Sequence, residues 1–246
     1  NRLYGQLTGM AGPLINFPQV MTQAIAMSLV PAVAAAYKQK DHAFLNYNIR
    51  LGVRTAMIIG LPCALGMMTL SEPIMLLLYP FQKASAASAA PCLFIMAFGV
   101  IFLSTVQTLT GVLQGLGKPM IPVINLFIGA IAKVILTFTL TGIPSFNVKG
   151  AAVGTVTAYI IASVLNIIAV KRLTGVKFDI MLTYVKPIVS ALTMSVIVWV
   201  TYRILFGFFG NAFSTLLAIL IGAVVYCTML FITKSIRKEE LNALPK

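Results

Sequence analysis

Seven apolar runs of about 20 residues or more confine this chain to a membrane, since each can cross roughly 30 Å of hydrocarbon at about 1.5 Å per helical residue. They extend approximately from Leu7 to Tyr37, Thr55 to Tyr79, Ala86 to Leu113, Met120 to Thr141, Ala151 to Val170, Ile180 to Tyr202 and Phe213 to Ile232. In lipid only helices and closed barrels satisfy every backbone group. The alternating pattern of a barrel strand is absent, so the chain is expected to be an all-α polytopic membrane protein with seven transmembrane helices. Composition agrees: 59% of residues are hydrophobic, 9% are charged and the mean hydropathy is +0.97. A soluble domain carries far more charge.

A net charge of +13 suggests nucleic acid until the basic residues are placed. Lys38, Lys40, Arg50 and Arg54 fall in the first loop, Lys118 in the third, Lys171, Arg172, Lys177 and Lys186 in the fifth, and Lys234, Arg237, Lys238 and Lys246 in the tail. The other side holds Arg2, Lys83, Lys149 and Arg203. This bias puts the odd loops and the C-terminus in the cytoplasm and the N-terminus outside, with membrane lipids as the partner of the excess charge and no nucleic acid. An N-terminus outside, without an initiator methionine or a signal peptide, marks the chain as a fragment of a longer protein.

Nothing in the chain prepares an enzyme. There is no Ser/His/Asp or Cys/His arrangement, no paired acids and no metal spacing, so neither a cofactor nor a metal is expected. Cys63, Cys92 and Cys227 all lie inside spans and read as small core residues. His42 reads as solvated surface. Trp199, Tyr202 and Arg203 cluster at an outer helix end, as interfacial anchors do. The last two spans lack an amide stripe and read as peripheral.

Polar stripes carry the functional signal, because lipid does not tolerate them. In the first span Gly12, Asn16, Gln19 and Gln23 recur at three- and four-residue spacing, in a segment interrupted by Pro13, Pro18 and Pro31. Ser104, Gln107, Gly111 and Gln114 repeat the arrangement in the third span, and Thr155, Tyr159, Ser163 and Asn166 in the fifth. Gly150 and Gly154 there permit close helix packing. One stripe can be interhelical glue; three together point to helices around a shared hydrated cavity.

Lys133 is the one charge deep inside a span. At 100° per residue, Pro122, Asn125, Gly129, Thr137 and Thr141 fall within about 80° of it, while Ile124, Phe127, Ile128, Ile131, Ile135 and Phe138 take the opposite side. It lies about 15 residues, or ~22 Å, beyond Lys118, near the bilayer midplane. A charge there costs roughly 2.5 to 3.5 kcal/mol on insertion scales. Of the five carboxylates, Asp41, Asp179, Glu239 and Glu240 belong to cytoplasmic segments, and Glu72 lies near an outer helix end. Either Lys133 faces water and an anionic ligand, or its acid lies elsewhere in the protein, or burial keeps it neutral.

The stretch "QGLGKPMIP" ends one helix with Gly115 and Gly117 and opens the next with Pro119, which makes a tight hairpin. It is not a phosphate-binding loop.

Three segments resemble one family: "LYGQLTGMAGPLINFP" from Leu3, "SLVPAVAAAY" from Ser28, and "LQGLGKPMIPVINLFIGAIAKVILTFTL" from Leu113 followed by "GAAVGT" from Gly150. They resemble the C-terminal half of the multidrug/oligosaccharidyl-lipid/polysaccharide exporter superfamily, in particular its polysaccharide-biosynthesis proteins of the stage V sporulation protein B type. The resemblance implies a bacterial inner-membrane transporter of fourteen helices in two lobes, of which this chain is the C-terminal portion. Residues 1–172 would be most of the C-terminal lobe, and 173–246 two additional helices and a basic tail. It further implies alternating access by a flippase that moves a polyprenyl-pyrophosphate-linked saccharide such as lipid II, with the N-terminal lobe as the missing partner. On that reading Lys133 contacts the anionic headgroup, and Asn16, Gln23, Gln107, Gln114 and Asn125 contact sugar or cavity water. Dedicated lipid II flippases carry an arginine early in the helix corresponding to the first span, and none lies around Gly12 and Pro13. A drug or metabolite antiporter of the same superfamily would want an intramembrane carboxylate. A membrane scaffold for envelope synthesis would leave the stripes without a role.

Overall fold

A computed structural model describes residues 6–142, 148–233 and 235. Arg2, Lys234, Arg237, Lys238, Glu239, Glu240 and Lys246, which enter the charge argument, lie outside the described residues, as does the start of the first family-like segment.

Among the described residues the chain is helical and has no strand. A π-helical turn, Gln6–Ala11, leads into α1 (Gly12–Lys38), followed by α2 (His42–Thr69) and the short α3 (Ser71–Leu78). After a 3₁₀ turn at Pro80–Gln82 come α4 (Lys83–Gly115), α5 (Met120–Thr141) and α6 (Val148–Thr174). A π-helical turn, Met181–Val185, then opens the run Lys186–Ile232, which Gly210 breaks (φ 71°, ψ −175°) into α7 (186–209) and α8 (211–232).

Three sequence expectations change. The second span is two helices, broken at Leu70 (φ −106°, ψ 26°). Arg50 and Arg54 are not loop residues: α2 begins at His42 and carries both, with Arg54 only 5% exposed. Pro13 starts α1 rather than interrupting it, while Pro18 and Pro31 lie inside a helix that stays continuous. Proline at the first helical turn removes a donor that had no partner there anyway.

Three helix ends close through a left-handed residue. At the end of α1, Asp41 N–H reaches Ala36 O at 3.1 Å across Lys40 (φ 56°); after α4, Lys118 N–H reaches Leu113 O at 2.9 Å across Gly117 (φ 72°). After α6, Gly175 (φ 67°) donates to Lys171 O at 2.9 Å. These turns satisfy carbonyls that a helix end leaves open. Glycine enters this conformation freely, whereas a side chain costs about 1–2 kcal/mol. Gly115 is the last residue of α4, as the sequence suggested, and it also packs against Val30 and Val33 of α1.

α4 is the central helix and touches α1, α2, α3 and α6. In the most apolar window of α4, 50% of residues are buried, against 11% for α5, which rests almost wholly on α6. One apolar cluster joins α3, the start of α1 and the N-terminal half of α4 through Met75, Leu93 and Ala97. A second joins the opposite ends of α1, α2 and α4 through Val33, Ile49 and Leu113. A third fixes the α7–α8 pair against α2 through Met57, Leu61, Met194 and Ala218.

Two seams set the helix registers. Along α1 and α4, Thr22 meets Gln107, 85 residues later, Ala26 meets Gly111 and Val30 meets Gly115 at the same offset, so these helices run parallel. Along α5 and α6 the pairs run the other way: Asn125 with Asn166, Gly129 with Ala158, Lys133 and Thr137 with Gly154, and Leu140 with Gly150. Small residues let the backbones approach, the usual device where lipid removes any hydrophobic drive between helices.

Candidate functional site

Lys133 stands at the edge of the α5–α6 seam. Pro122, Asn125 and Gly129 are buried under α6, while the Lys133 side chain is exposed. Its main chain is held. A Cβ built on Gly154 would lie 3.1 Å from the Lys133 carbonyl oxygen and 2.6 Å from Thr137 Oγ1, so only glycine lets α6 pass this close. Ile124, Phe127, Ile128, Ile131, Ile135 and Phe138 are exposed on the far side, as the periodicity predicts. Asn125 is occupied differently. It is 9% exposed, and its Nδ2 donates to Asn166 Oδ1 at 2.8 Å across the seam. Asn166 itself is fully buried, and its Nδ2 has no partner among the described residues.

The stripes of α1 and α4 divide in the same way. Gln107 accepts a hydrogen bond from the Thr22 hydroxyl of α1, and Ser104 is buried against Gly60 of α2 while donating to Val100 O at 2.8 Å. Gly111 takes the α1 backbone at Ala26. Asn16, Gln23 and Gln114 are exposed, and Gln19 is half-buried. On α6, Thr155 and Ser163 donate to carbonyls of their own helix, at 3.0 and 2.9 Å. No hydrogen bond joins Lys133 to Asn16, Gln23, Gln107 or Gln114 among the described residues. Sequence reading missed Thr22 as the partner of Gln107. The four-residue spacing of Thr22 and Ala26, matching that of Gly111 and Gly115, was its one trace.

One concavity had no sequence signal. Between α1, α2 and the α7–α8 pair lies an apolar groove of about 450 Å³, walled by Phe17, Pro62, Met67, Met194, Val198 and Tyr226. The Tyr226 hydroxyl donates to Ile58 O at 2.7 Å and braces α8 on α2. Cys63 and Cys227 also line this groove, and Cys227 is exposed, so only Cys92 is the core cysteine that the sequence suggested. Near the C-terminal end of α7, the Arg203 guanidinium lies 5.4 Å over the Trp199 ring. Tyr202 donates to Asn211 Oδ1 at 2.9 Å, and Asn211 Nδ2 donates to Pro73 O at 3.1 Å, tying the Gly210 turn to α3. Among the described residues no group of His, Cys, Asp or Glu is placed to hold a metal ion.

Residues 13–219 match the family described as lipid II flippase MurJ. The chain belongs to the MurJ family. Stage V sporulation protein B of Bacillus subtilis (strain 168) is 25% identical over 254 aligned positions, covering 98% of this chain and 46% of that protein. The lipid II flippase MurJ of the same organism is 25% identical, over 87% of this chain and 40% of that protein. A solved structure of lipid II flippase MurJ in an inward closed conformation superposes with a TM-score of 0.79 at 21% identity, covering 94% of this chain and 47% of that one. The chain therefore has the MurJ fold and is a multi-pass membrane protein that spans less than half the length of these relatives. The family is named for a transporter.

Proposed function

We propose that this chain is the C-terminal half of a flippase that carries a polyprenyl-pyrophosphate-linked saccharide, lipid II or a related cell-wall or polysaccharide precursor, across a bacterial cytoplasmic membrane by alternating access. The observation that carries this reading is the MurJ family match over residues 13–219. Residues 1–172 are most of one lobe, 173–246 are an appended helix pair and basic tail, and the other lobe comes from chain outside this sequence. The substrate leaves chemically unchanged, so the protein is no enzyme. Lys38, Lys40, Lys118, Lys171, Arg172, Lys177 and Lys186 mark the cytoplasmic side, which places the N-terminal end of the fragment outside and its C-terminus in the cytoplasm.

Lys133 supplies the charge that holds the pyrophosphate. Support comes from its exposure on the least covered span and from the placement of the acids. Among the described residues these are Asp41 and Asp179 at helix starts and Glu72 in the first turn of α3, none of them mid-span. Asn16, Gln23 and Gln114 are free to meet sugar hydroxyls or cavity water, while Gln107 and Asn125 hold the helices that present them. The apolar groove beside α7 and α8 suits a hydrocarbon chain.

The test is complementation of a flippase-deficient strain by the full-length protein at equal membrane abundance. Lys133→Ala abolishes growth and Lys133→Arg retains part of it. Full activity of the alanine variant removes Lys133 from the mechanism, and failure of the wild-type protein to move a fluorescent lipid-linked saccharide in proteoliposomes removes the transport reading.

A further inference from the structure

The turn joining α1 to α2 encloses a pocket of about 340 Å³ lined by Ala36, Tyr37, Lys38, Lys40, His42 and Leu45. The residues that line it include two lysines, a tyrosine and a histidine, and no aspartate or glutamate. The acid of the same turn, Asp41, is engaged elsewhere: it accepts from Phe44 N–H at 2.9 Å and caps α2. The pocket is thus a small cationic concavity without an internal counter-charge.

The backbone adds an independent observation. Of the three left-handed residues that close helix ends among the described residues, Gly117 and Gly175 are the residues such a turn favours, and Lys40 is not. The turn geometry does not ask for lysine, whereas the pocket wall gains an ammonium from it. Strained backbone of this kind gathers where a side chain serves a ligand. The surroundings say which ligand. Tyr37, Phe44 and Tyr47 are 50%, 49% and 45% exposed around the turn, an aromatic belt at headgroup level. The basic residues also concentrate on this side of the membrane.

We propose that this pocket binds the phosphate of an anionic membrane lipid, with Lys38 and Lys40 as its cations, Tyr37 and His42 as further donors, and the acyl chains lying against the exposed aromatic residues. The site stands apart from Lys133 and does not depend on which substrate is transported. A soluble phosphate would use the same cations but gain nothing from the aromatic belt.

The experiment is thermal unfolding of the full-length protein in detergent with added phosphatidylglycerol, phosphatidylcholine or inorganic phosphate. Phosphatidylglycerol raises Tm by roughly 2 to 5 °C well above its Kd, and phosphatidylcholine does not. Lys38→Gln with Lys40→Gln abolishes the shift, while Lys171→Gln with Arg172→Gln, a basic pair outside the pocket, retains it. Lys40→Gly weakens the shift without lowering the Tm of lipid-free protein, because glycine suits the turn. An undiminished shift in the Lys38/Lys40 variant overturns the site. An equal shift with inorganic phosphate overturns the lipid as its ligand. A lower lipid-free Tm for Lys40→Gly overturns the argument from the turn.

Discussion

Gly111→Ala tests whether the α1–α4 seam is set by main-chain contact. A Cβ at that position would lie 2.3 Å from Ala26 O, 2.8 Å from Ala26 C and 3.0 Å from Ala26 Cα. All three atoms are backbone, so no rotamer change relieves the overlap. Restoring ordinary contact requires the helices to part by about 1 Å. That movement also loosens the Thr22–Gln107 hydrogen bond and the packing of Gly115 on Val30 and Val33, which share the register. Overpacking of this kind costs roughly 1–3 kcal/mol. The full-length protein is about twice this size, so at about 1–2 °C per kcal/mol Tm should fall by roughly 1–6 °C. The assay is size-exclusion chromatography of heated, detergent-solubilised full-length protein. Two comparisons isolate the cause. Gly222→Ala would meet a side-chain atom, Val198 Cγ2 at 2.5 Å, and so should be rescued by Val198→Ala. Gly111→Ala should not be rescued by Ala26→Gly, because that change leaves the offending atoms in place. A wild-type Tm for Gly111→Ala, or its rescue by Ala26→Gly, would refute the reasoning.

Three further substitutions probe other contacts in the same melt. Asn125→Leu strands Asn166, whose side chain is fully buried, and should cost about 1–3 kcal/mol; Asn125→Leu with Asn166→Leu should be less damaging than the single change, and the reverse order would contradict the pairing. Gly210→Ala forces a side chain into φ 71°, ψ −175°, a region essentially reserved for glycine, and should cost roughly 1–3 kcal/mol; an unchanged Tm would show that the turn relaxes freely. Tyr226→Phe removes the 2.7 Å bond to Ile58 O and should cost about 0.5–1.5 kcal/mol, an effect that disappears if α8 is held by apolar packing alone.

The spans were legible because hydropathy over 20 residues is a strong signal, but their ends were not. Arg50 and Arg54 look like loop residues in a hydropathy profile, yet α2 continues past the apolar run to His42. The break at Leu70 had a local signal in Pro73, which has no N–H to donate to Thr69 O one turn back, but the apolar run continues straight through it. The groove beside α7 and α8 depends on the shape left between helices distant in sequence, to which no local pattern corresponds.

The stripes show why a helical face can be read from one chain and its environment cannot. Periodicity placed Gln107, Gly111 and Gln114 on one side of α4 and Asn125, Gly129 and Lys133 on one side of α5, and both groupings hold in the structure. What lies across each face depends on inter-helix register. On α4 the 85-residue offset puts Thr22 opposite Gln107 and leaves Gln114 exposed. On α5 the antiparallel pairing with α6 buries Asn125 and Gly129 and stops short of the Lys133 side chain. An amide can serve either environment, because a neighbouring helix offers it hydrogen-bond partners as water does. A lysine ammonium cannot be satisfied by another apolar helix, so exposure was the more predictable fate for Lys133. Its backbone is nevertheless clamped at Gly154. The α6 helix therefore determines where that charge is presented, and any movement of α6 relative to α4 carries Lys133 with it.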